Sequence, residues 1–401
     1  MARYELTIDD EMLHGLFQDD QGMARLVESI LNQILEAQVT DQLRALPYER
    51  SEERQGYRNG YRSREMKTRV GPLELQIPRV RDGHFSTEMF QRYQRSEQAL
   101  VVALMEMVVN GVSTRKVRRI TEQLCGTTFS KSTVSELCKG LDPLLSQWNL
   151  RSLEGEYPFV LVDAMVFRAR ESGRVRSRCA HIAVGINGEG YREVLGLGLG
   201  DSESESSWSE FFRGLKERGL DRVDLVVSDD HGGLVKAARK HFEGAVWQRC
   251  QTHLKRNILD KVSKAQREEL SGQLKVIFDA PDSATARHLL EGVLERYSDA
   301  FPRAMECLEN GFDDATAVME LPEKYRRRLR STNMVERLIR EVRRRERVIG
   351  IFPNMPSAFR LLGAYLMERD EDWISGRKYL DMMDYWEFRK PETNIHDKAA
   401  D

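Results

Sequence analysis

The chain has 401 residues, of which 40% are hydrophobic and 31% are charged, and its formal net charge is -2. This length allows more than one hydrophobic core, so we expect two or three domains. No apolar run approaches the roughly 18 residues that a membrane helix needs, and the N-terminus lacks the order of a signal peptide, so we expect a cytoplasmic protein without membrane contact. The five cysteines are scattered without a CxxC pair, which argues against a disulfide scaffold.

An amphipathic helix is predicted over residues 21–45, where apolar residues recur at helical spacing. Its apolar stripe fits internal packing and packing on a second subunit equally well, because one stripe cannot distinguish the two. Residues 44–81 then combine many arginines with tyrosines and glycines. This composition is typical of a nucleic-acid contact, and a solvated loop is the alternative.

A β-hairpin is predicted within this arginine-rich stretch. Apolar residues alternate at period two up to Val70 and again from Leu73, with Gly71 and Pro72 between the two runs. We expect the basic residues of the hairpin to be presented to phosphates. The candidates are Arg58, Arg62, Arg64, Lys67 and Arg69.

A pair of short helices is predicted over residues 113–124 and 130–141, after an apolar helix over residues 96–110. A turn through Gly126 joins the pair, which therefore resembles a helix-turn-helix. Its second helix would offer Lys131 and the neighbouring serines to a DNA groove. An ordinary helix pair in an all-α domain is the alternative.

From residue 157 the pattern changes to strands and helices in the order of a ribonuclease H-like domain. Its predicted elements are strands over residues 159–162, 180–186, 193–199, 223–227 and 245–247, and helices over residues 206–218 and 234–241. Asp163 ends the first strand and Asp229 ends the fourth. An aspartate at a strand end is, taken alone, more often a turn residue than a ligand. In such a sheet these two strands are neighbours, so both carboxylates would converge on one metal pair.

A third acid is predicted on a helix that begins near residue 331. Glu336, Arg340, Arg343 and Arg347 lie on one stripe of this helix, beside its apolar stripe. Residues 324–347 contain eleven Lys/Arg against three Glu. A solvated face with Glu/Arg pairs is the alternative interpretation. The pattern also fits a carboxylate that holds a metal against a phosphodiester, with arginines beside it for the nucleic-acid backbone.

The remaining C-terminal elements are predicted to be helical. We expect helices over residues 265–278, 283–297, 302–308, 357–369 and 373–386. A polar tail follows from Pro391, and we expect it to be disordered.

Several longer motifs occur in the order and spacing of a known family. They are GYRNGYRSR, GVSTR, LVDA, EVLG, SDDHGGL, WQRCQTHLKRN, TNMVER and RVIGIFPN. From about Arg54 to Trp373, the chain resembles the Mutator-type transposases of bacterial insertion sequences. The resemblance implies a multidomain α/β protein. Its N-terminal region, residues 1–150, would be mainly α and serve dimerisation and DNA binding. A ribonuclease H-like core would follow over residues 151–253 and 331–370, with an all-α insertion over residues 254–330 and a C-terminal helix and tail over residues 371–401.

Matched residue by residue, the resemblance assigns the acidic triad of a DDE transposase to Asp163, Asp229 and Glu336. The basic residue seven positions after the glutamate is Arg343, which would grip a phosphate near the cut. Asp230 leaves an ambiguity at the second acid, and the register after the strand favours Asp229. The triad would hold two Mg²⁺ ions, for which Mn²⁺ can substitute, with Asp163 as the ligand shared between them.

Four further residues are expected near this site. Arg340 is a DNA-binding candidate, and His231 lies next to the second acid. Cys250 and His253 form a CxxH pair that the family also carries. A zinc site would need two more ligands at plausible spacing, so a structural role beside the acids is the favoured interpretation.

The implied reaction is metal-dependent cleavage and transfer of DNA strands at the terminal inverted repeats of a transposon and at target DNA. It would be carried out by a homodimer without an organic cofactor, on chromosomal or plasmid DNA in a bacterial cytoplasm. A structure-selective nuclease on the same fold is one alternative. A non-catalytic DNA-binding derivative is another, although acids in a positive groove lower phosphate affinity and have no use in such a protein.

One departure concerns base stacking. Related transposases use an indole of the helical insertion to stack on a base, yet no tryptophan lies between Trp247 and Trp373. The candidates to replace it are Tyr297, Phe301, Phe312 and Tyr325, and handling of the base in another way is the alternative.

Overall fold

The structure is a computed structural model that describes residues 5–18, 21–50, 52–81, 85–87, 89–90 and 94–389. The predicted tail from Pro391 lies outside the described residues. The chain divides into two compact units, Met1–Gly140 and Leu141–Asp401. Helices and two sheets occur among the described residues, which confirms the predicted mixed α/β class. None of the described helices has the length and apolar character that a membrane crossing requires.

The first unit is built from helices around a β-hairpin. In chain order its elements are α1 (Asp10–Gln18), α2 (Gly22–Leu43), β1 (Arg58–Thr68), β2 (Gly71–Val80), α3 (Gln98–Val109), α4 (Thr114–Cys125) and α5 (Lys131–Cys138). Leu35 of α2 is buried with Leu73 and Leu75 of β2. Glu28 and Asn32 of α2 accept hydrogen bonds from N–H groups of β2 at 2.7 and 2.8 Å, which covers that strand edge. Part of the apolar stripe of α2 therefore packs within the unit.

The predicted hairpin is confirmed, but its turn lies earlier than the sequence suggested. Lys67 pairs with Pro72 and Thr68 with Gly71, so the turn residues are Arg69 and Val70. The Thr68 hydroxyl donates to the Gly71 carbonyl at 2.7 Å and accepts from the Val70 N–H at 3.3 Å, which closes the turn locally. Gly71 and Pro72 instead begin the second strand.

The predicted helix pair is also present. Ser113 and Ser130 cap α4 and α5, each accepting a hydrogen bond from a backbone N–H of the first turn. Gly126 ends α4 with a φ of 58°, a conformation that favours glycine. Both helices pack on α3 through a small apolar core that includes Val117 and Val134.

The second unit contains a mixed sheet covered by helices on both faces. Its strands are β3 (Phe159–Glu171), β4 (Arg174–Ile186), β5 (Arg192–Gly200), β6 (Leu225–Ser228) and β7 (Val246–Arg249). Its helices are α6 (Asp142–Asn149), α7 (Glu205–Glu217), α8 (Gly232–His241), α9 (Gln251–Leu259), α10 (Arg267–Phe278), α11 (Ser283–Tyr297), α12 (Pro302–Thr316), α13 (Glu323–Leu329), α14 (Asn333–Ile349), α15 (Met355–Ile374) and α16 (Met383–Arg389).

The strands of this sheet lie in the order β5-β4-β3-β6-β7. β3, β4 and β5 are antiparallel neighbours, whereas β6 and β7 run parallel to β3. The predicted adjacency of the first and fourth strands is thus confirmed. Alternate residues of β3 face opposite sides: Leu161 and Met165 face a core with α14 and α15, whereas Val160 and Val162 face a core with α7 and α8.

Helices α9 to α12 pack around a separate core. Leu254, Leu274, Leu290 and Leu308 are buried there, one from each helix. This cluster lies within the predicted insertion, whose bounds remain a prediction. Helix α6 packs within the second unit, where Arg360 of α15 donates to both carboxylate oxygens of Asp142 at 2.6 Å.

Several element predictions are wrong in their bounds. The strand predicted over residues 180–186 begins at Arg174, and the helix predicted over residues 302–308 ends at Thr316. β3 does not end at Asp163 but continues to Glu171, because β4 pairs with it along its whole length, from Phe159 to Glu171. The helix predicted over residues 373–386 is interrupted, since α15 ends at Ile374 and α16 begins only at Met383.

Candidate active site

Asp163 lies in the middle of β3, just beyond the point where β6 stops pairing with that strand. The parallel pairing of β3 and β6 reaches Leu161 opposite Val227 and goes no further. Asp163 occupies the face that α14 covers, and its Oδ1 accepts a hydrogen bond from the Ala164 N–H at 2.8 Å. Burial, reinforced by the negative charges of Asp229 and Glu336, raises the pKa of the Asp163 carboxyl to about 7.

Asp229 is the first residue after β6, so it approaches Asp163 from the neighbouring strand. Its Oδ1 accepts a hydrogen bond from the His231 N–H at 3.3 Å. The adjacent Asp230 is engaged elsewhere, because its Oδ2 forms an ion pair with Arg249 at 2.9 Å. The two aspartates of the SDDHGGL motif are therefore distinguished by their partners, and Asp229 is the one whose charge acts on Asp163.

Glu336 lies in the first turn of α14 and is half-buried. The helix is held against the sheet by Val335, Leu338 and Ile339, which are buried in the core. The Glu336 carboxylate lies 3.5 Å from Nε2 of His253. The Thr332 hydroxyl lies 3.4 Å from the same carboxylate oxygen and 3.4 Å from the Cys250 sulfur, so its single proton is shared between these two acceptors.

Cys250 and His253 adjoin the site from the start of α9. The N–H and the hydroxyl of Thr332 both donate to the Cys250 sulfur at 3.4 Å, which ties α9 to the start of α14. Contact with the Cys250 thiol, aided by the charges of Glu336 and Asp163, raises the pKa of His253 to about 9. Burial disfavours the thiolate, yet the contacts with His253 and Thr332 lower the pKa of Cys250 overall.

Ligand atoms of Cys250, His253 and Glu336 lie within 4.8 Å of one another. Among the described residues this is the one such group of three, and Asp163 and Asp229 are not part of it. The group falls one ligand short of the four that a structural zinc site uses. Its members instead contact one another: His253 contacts both the Cys250 thiol and the Glu336 carboxylate. These contacts orient Glu336 beside the two aspartates.

Glu203 is a fourth acid in this region that the sequence did not indicate. It lies in the loop between β5 and α7, and its Oε1 is 3.9 Å from Nδ1 of His231. Burial raises the pKa of Glu203, and the charge of Asp229 adds to the effect. The loop can come this close because Gly233 has no Cβ. A Cβ at this position would overlap the backbone of Ser204 and Glu205. No sequence signal reveals this approach, since the stretch DSESESS reads as the capped start of a helix.

The arginine stripe of α14 is exposed, as the pattern predicted. Arg340, Arg343 and Arg347 are all solvent-exposed, and none of them has an ion-pair or hydrogen-bond partner among the described residues. Arg343 and Arg347 line a groove of about 470 Å³, together with Arg168 and Ser177 of the long β3–β4 hairpin. Arg343 thus lies on the same helix as Glu336, two turns further along.

The basic candidates of the first unit differ in their surroundings. Arg62 and Lys131 are exposed and have no polar partner in the part of the chain that the structure describes. Arg69 pairs with Glu97 at 2.8 Å. Lys67 donates to the Thr128 carbonyl at 2.7 Å, and Arg64 donates to the Gln94 carbonyl. The fifth hairpin candidate, Arg58, pairs with Glu36 at 3.2 Å.

The aromatic residues considered for base stacking are mostly inaccessible. Phe312 and Tyr325 are 2% and 0% exposed, and Tyr297 is 7% exposed, so their ring faces lie in cores. Phe301 is only partly buried and stacks on Tyr297, with 5.9 Å between ring centroids. Stacking of a base on one of these three rings would therefore require the chain to rearrange, and the identity of the stacking residue stays a prediction.

Comparison with known proteins gives a consistent result over nearly the whole chain. The family model described as "Transposase, Mutator family" matches residues 2–376. The transposase for insertion sequence element IS256 in transposon Tn4001 of Staphylococcus aureus is 44% identical over 388 residues, which cover 95% of this chain and 99% of the relative. The transposase for ISRM5 of Rhizobium meliloti is 42% identical over 375 residues, 94% of each chain. The transposase for IS1081 of Mycobacterium tuberculosis is 41% identical over 336 residues, 83% of this chain and 81% of the relative.

Proposed function

The chain belongs to the Mutator family of transposases, and from this premise we propose that it is an insertion-sequence transposase that cuts and joins DNA strands at Asp163, Asp229 and Glu336. One observation carries the assignment. Carboxylates from β3, from the end of β6 and from α14 come together, and none of them pairs with a lysine or arginine within the described residues. His253 forms an ion pair with Glu336 at 3.5 Å, whereas Asp163 and Asp229 have no ion-pair partner among the described residues. Half-buried carboxylates without such a partner are unusual unless a cation is bound there.

The sheet supports a ribonuclease H-like core for this enzyme. Three antiparallel strands are followed by two strands parallel to the first, with the first acid-bearing strand next to the fourth strand. The helical core of α9 to α12 is inserted between β7 and α14 in the chain. This order supports the division into residues 151–253 and 331–370 for the core and residues 254–330 for the insertion.

The donor set fits divalent cations of the Mg²⁺ type. All three candidate ligands offer carboxylate oxygens, which are the ligands that Mg²⁺ and Mn²⁺ prefer. A divalent cation at this place would offset the effect of burial and lower the raised pKa of Asp163, so that the carboxylate would be ionised as a ligand must be. In this proposal Asp163 would be the ligand that both ions share, and Asp229 and Glu336 would each hold one ion.

Such ions would activate the attacking hydroxyl and stabilise the leaving oxygen in an in-line displacement at phosphorus. The protein side chains have other tasks. His253 and Thr332 orient the Glu336 carboxylate. The guanidinium of Arg343 would grip a phosphate of the strand near the cut, and Arg340 would contact the backbone on the same exposed stripe.

The first unit is proposed to recognise the terminal inverted repeats. Arg62 and Lys131 have no polar partner among the described residues and are the foremost candidates for phosphate contacts. The half-buried apolar residues Leu26, Ile30 and Ile34 of α2 are consistent with a homodimer that pairs the two ends. In this proposal the protein acts on chromosomal or plasmid DNA of a bacterial cell.

The test is metal-dependent cleavage and joining of a labelled duplex that carries the terminal repeat of the encoding element. Wild type should form 3′-hydroxyl ends and joined strands when Mg²⁺ or Mn²⁺ is added. Asp229→Asn should abolish both activities, because it removes a ligand. Asp230→Asn is the matched control one residue away, and it should retain activity because that side chain pairs with Arg249.

Three other outcomes would contradict the proposal. DNA binding without cleavage by any protein would mean a non-catalytic derivative. Cleavage of branched DNA without joining would mean a structure-selective nuclease. Equal loss of activity in the Asp229 and Asp230 variants would overturn the assignment of the second acid.

A further inference from the structure

A pocket lined by arginines and aromatic rings lies on the second unit, on another side of α14 from the acids. It has a volume of about 610 Å³ and lies between the start of β5, helices α13 and α14, and the chain around residues 369–379. The arginine pocket, as we call it, is lined by Arg192, Arg327, Arg328, Arg337, Trp373 and Tyr379, among others. Glu341 is the one acidic side chain among its lining residues, and it is already paired with Arg344 at 3.1 Å and Arg345 at 3.3 Å.

Arg192 lines the pocket and forms no ion pair with a carboxylate among the described residues. Its guanidinium carbon lies 4.6 Å from the ring centre of Trp373 and 4.8 Å from that of Tyr379. Its Nε is buried and has no hydrogen-bond partner among the described residues. Because arginine remains charged in proteins, this arrangement leaves a partly desolvated cation without an anion among the described residues.

The surrounding chain fixes this arrangement before any ligand arrives. The N–H of Tyr379 donates to the Gly190 carbonyl at 2.8 Å, so its ring is tied to the loop before β5. A Cβ at Gly190 would overlap the Leu380 carbonyl, so only glycine permits the approach. Arg328 donates to the Tyr379 carbonyl and lies 4.6 Å from the centre of the same ring.

The mouth of the pocket carries cations that remain available. Arg327 and Arg337 are exposed and have no ion-pair or hydrogen-bond partner in the described part of the chain. Arg337 directly follows Glu336, so one helix carries the acid of the candidate active site and a wall of the pocket. Planar guanidiniums in such a cluster match the geometry of phosphate oxygens and hold them with several hydrogen bonds.

We propose that the arginine pocket binds a backbone phosphate of the DNA substrate, beside the strand that Asp163, Asp229 and Glu336 process. The inference rests on the proposed function for the identity of the phosphate, and on the partnerless arginines for the site itself. Its chemistry differs from that of the Arg340–Arg343 stripe, because here the half-buried Arg192 contributes a guanidinium that lies against two aromatic rings.

The test uses the full chain and a fluorescent DNA duplex of random sequence, with binding measured over a series of salt concentrations. Each lost phosphate contact lowers the slope of log Kobs against log[salt] by about one. Arg337→Ala should lower the slope by about one, and the Arg327→Ala/Arg337→Ala double variant by about two. Both side chains are exposed, so folding is not at risk. Arg337→Lys should keep the slope, because the charge is retained.

Arg213→Ala is the matched control. Arg213 is exposed on α7, which covers the opposite face of the sheet from α14, so its removal should leave the slope unchanged. Unchanged slopes in both pocket variants would overturn the inference. A changed sedimentation mass with an unchanged slope would overturn it too, because the pocket would then take a protein partner. Cleavage by wild type is scored separately, so failure of the proposed function is distinguishable from failure of the pocket.

Discussion

The hairpin of the first unit and the start of α14 in the second are both rich in arginine, yet they use the charge differently. In the first unit acids and arginines are paired: Glu36 with Arg58 at 3.2 Å, and Glu97 with Arg69 at 2.8 Å. Around the start of α14 the charges are separated. Asp163, Asp229 and Glu336 gather at the start of the helix, and exposed arginines lie further along the same stripe and on the other sides of the helix.

This difference teaches that arginine content alone does not identify a DNA-binding surface. A paired arginine has its hydrogen bonds satisfied within the protein and contributes mainly to the fold. Separated charges carry an electrostatic cost in the free protein, which a bound cation and a bound phosphate would each relieve. Separation of charge is therefore the better indicator of a site, and three predictions test it.

The largest effect is expected for Arg343→Ala. If the exposed stripe of α14 holds the strand near the cut, removing this guanidinium should slow cleavage by about 10²-fold with little loss of DNA binding. Single-turnover cleavage and equilibrium binding measure the two quantities separately. Arg344→Ala is the matched control on the same helix, since Arg344 is exposed but paired with Glu341 at 3.1 Å. Equal slowing of cleavage in both variants would mean that the ion pair of Arg344 does not keep it from contributing to cleavage as Arg343 does.

The next effect concerns stability and pH, measured without metal. The pKa of Asp163 is raised from 3.8 to about 7, so the folded state binds this proton more tightly than the unfolded chain does. Its contribution is thus most favourable below about pH 4 and is lost as the pH rises to about 7. Asp163→Asn removes this loss, so at pH 8 the variant should be more stable than wild type by up to about 4 kcal/mol, the free energy that corresponds to about three pKa units.

The paired acid of the first unit should respond in the opposite direction. Glu36→Gln weakens the ion pair with Arg58 and should lower the free energy of unfolding. Denaturant titrations at pH 8 compare the two variants directly. Adding Mg²⁺ should then stabilise wild type more than Asp163→Asn, because ligand binding to the folded state adds to its stability. If the Asp163→Asn variant is less stable than wild type at pH 8, the separated acids do not carry the electrostatic cost that we infer for the free protein.

The sequence predicted those parts of the site that depend on local pattern. Asp229 follows a short buried strand, and Glu336 lies on an amphipathic helix, so both elements could be identified from spacing. The length of β3 could not be predicted, because Asp163 interrupts the apolar face between Leu161 and Met165. Only the pairing with β4 shows that the strand continues to Glu171.

Contacts between distant parts of the chain could not be predicted from the sequence. Thr332 and Cys250 are 82 positions apart, and nothing in either motif indicates that they meet. Glu203 comes near His231 only because the backbone packs on Gly233. The same applies to Arg58, whose partner Glu36 lies 22 positions earlier on α2. The hairpin was therefore predicted correctly as an element, while the pairing of its arginines was not foreseen.

The smallest effect separates two arginines of that hairpin. Arg58 is 18% exposed and donates to Glu36, to the Ala45 carbonyl at 2.9 Å and to the Thr40 hydroxyl at 2.7 Å. Arg58→Ala should therefore lower the free energy of unfolding by about 1 kcal/mol and leave the salt dependence of DNA binding unchanged. Arg62→Ala should do the reverse: stability is kept, and the slope of log Kobs against log[salt] falls by about one. Denaturant titration and salt-series binding on the same two proteins measure both quantities. If Arg58→Ala lowers the slope as much as Arg62→Ala does, paired arginines also serve the DNA, and the distinction between the two regions no longer holds.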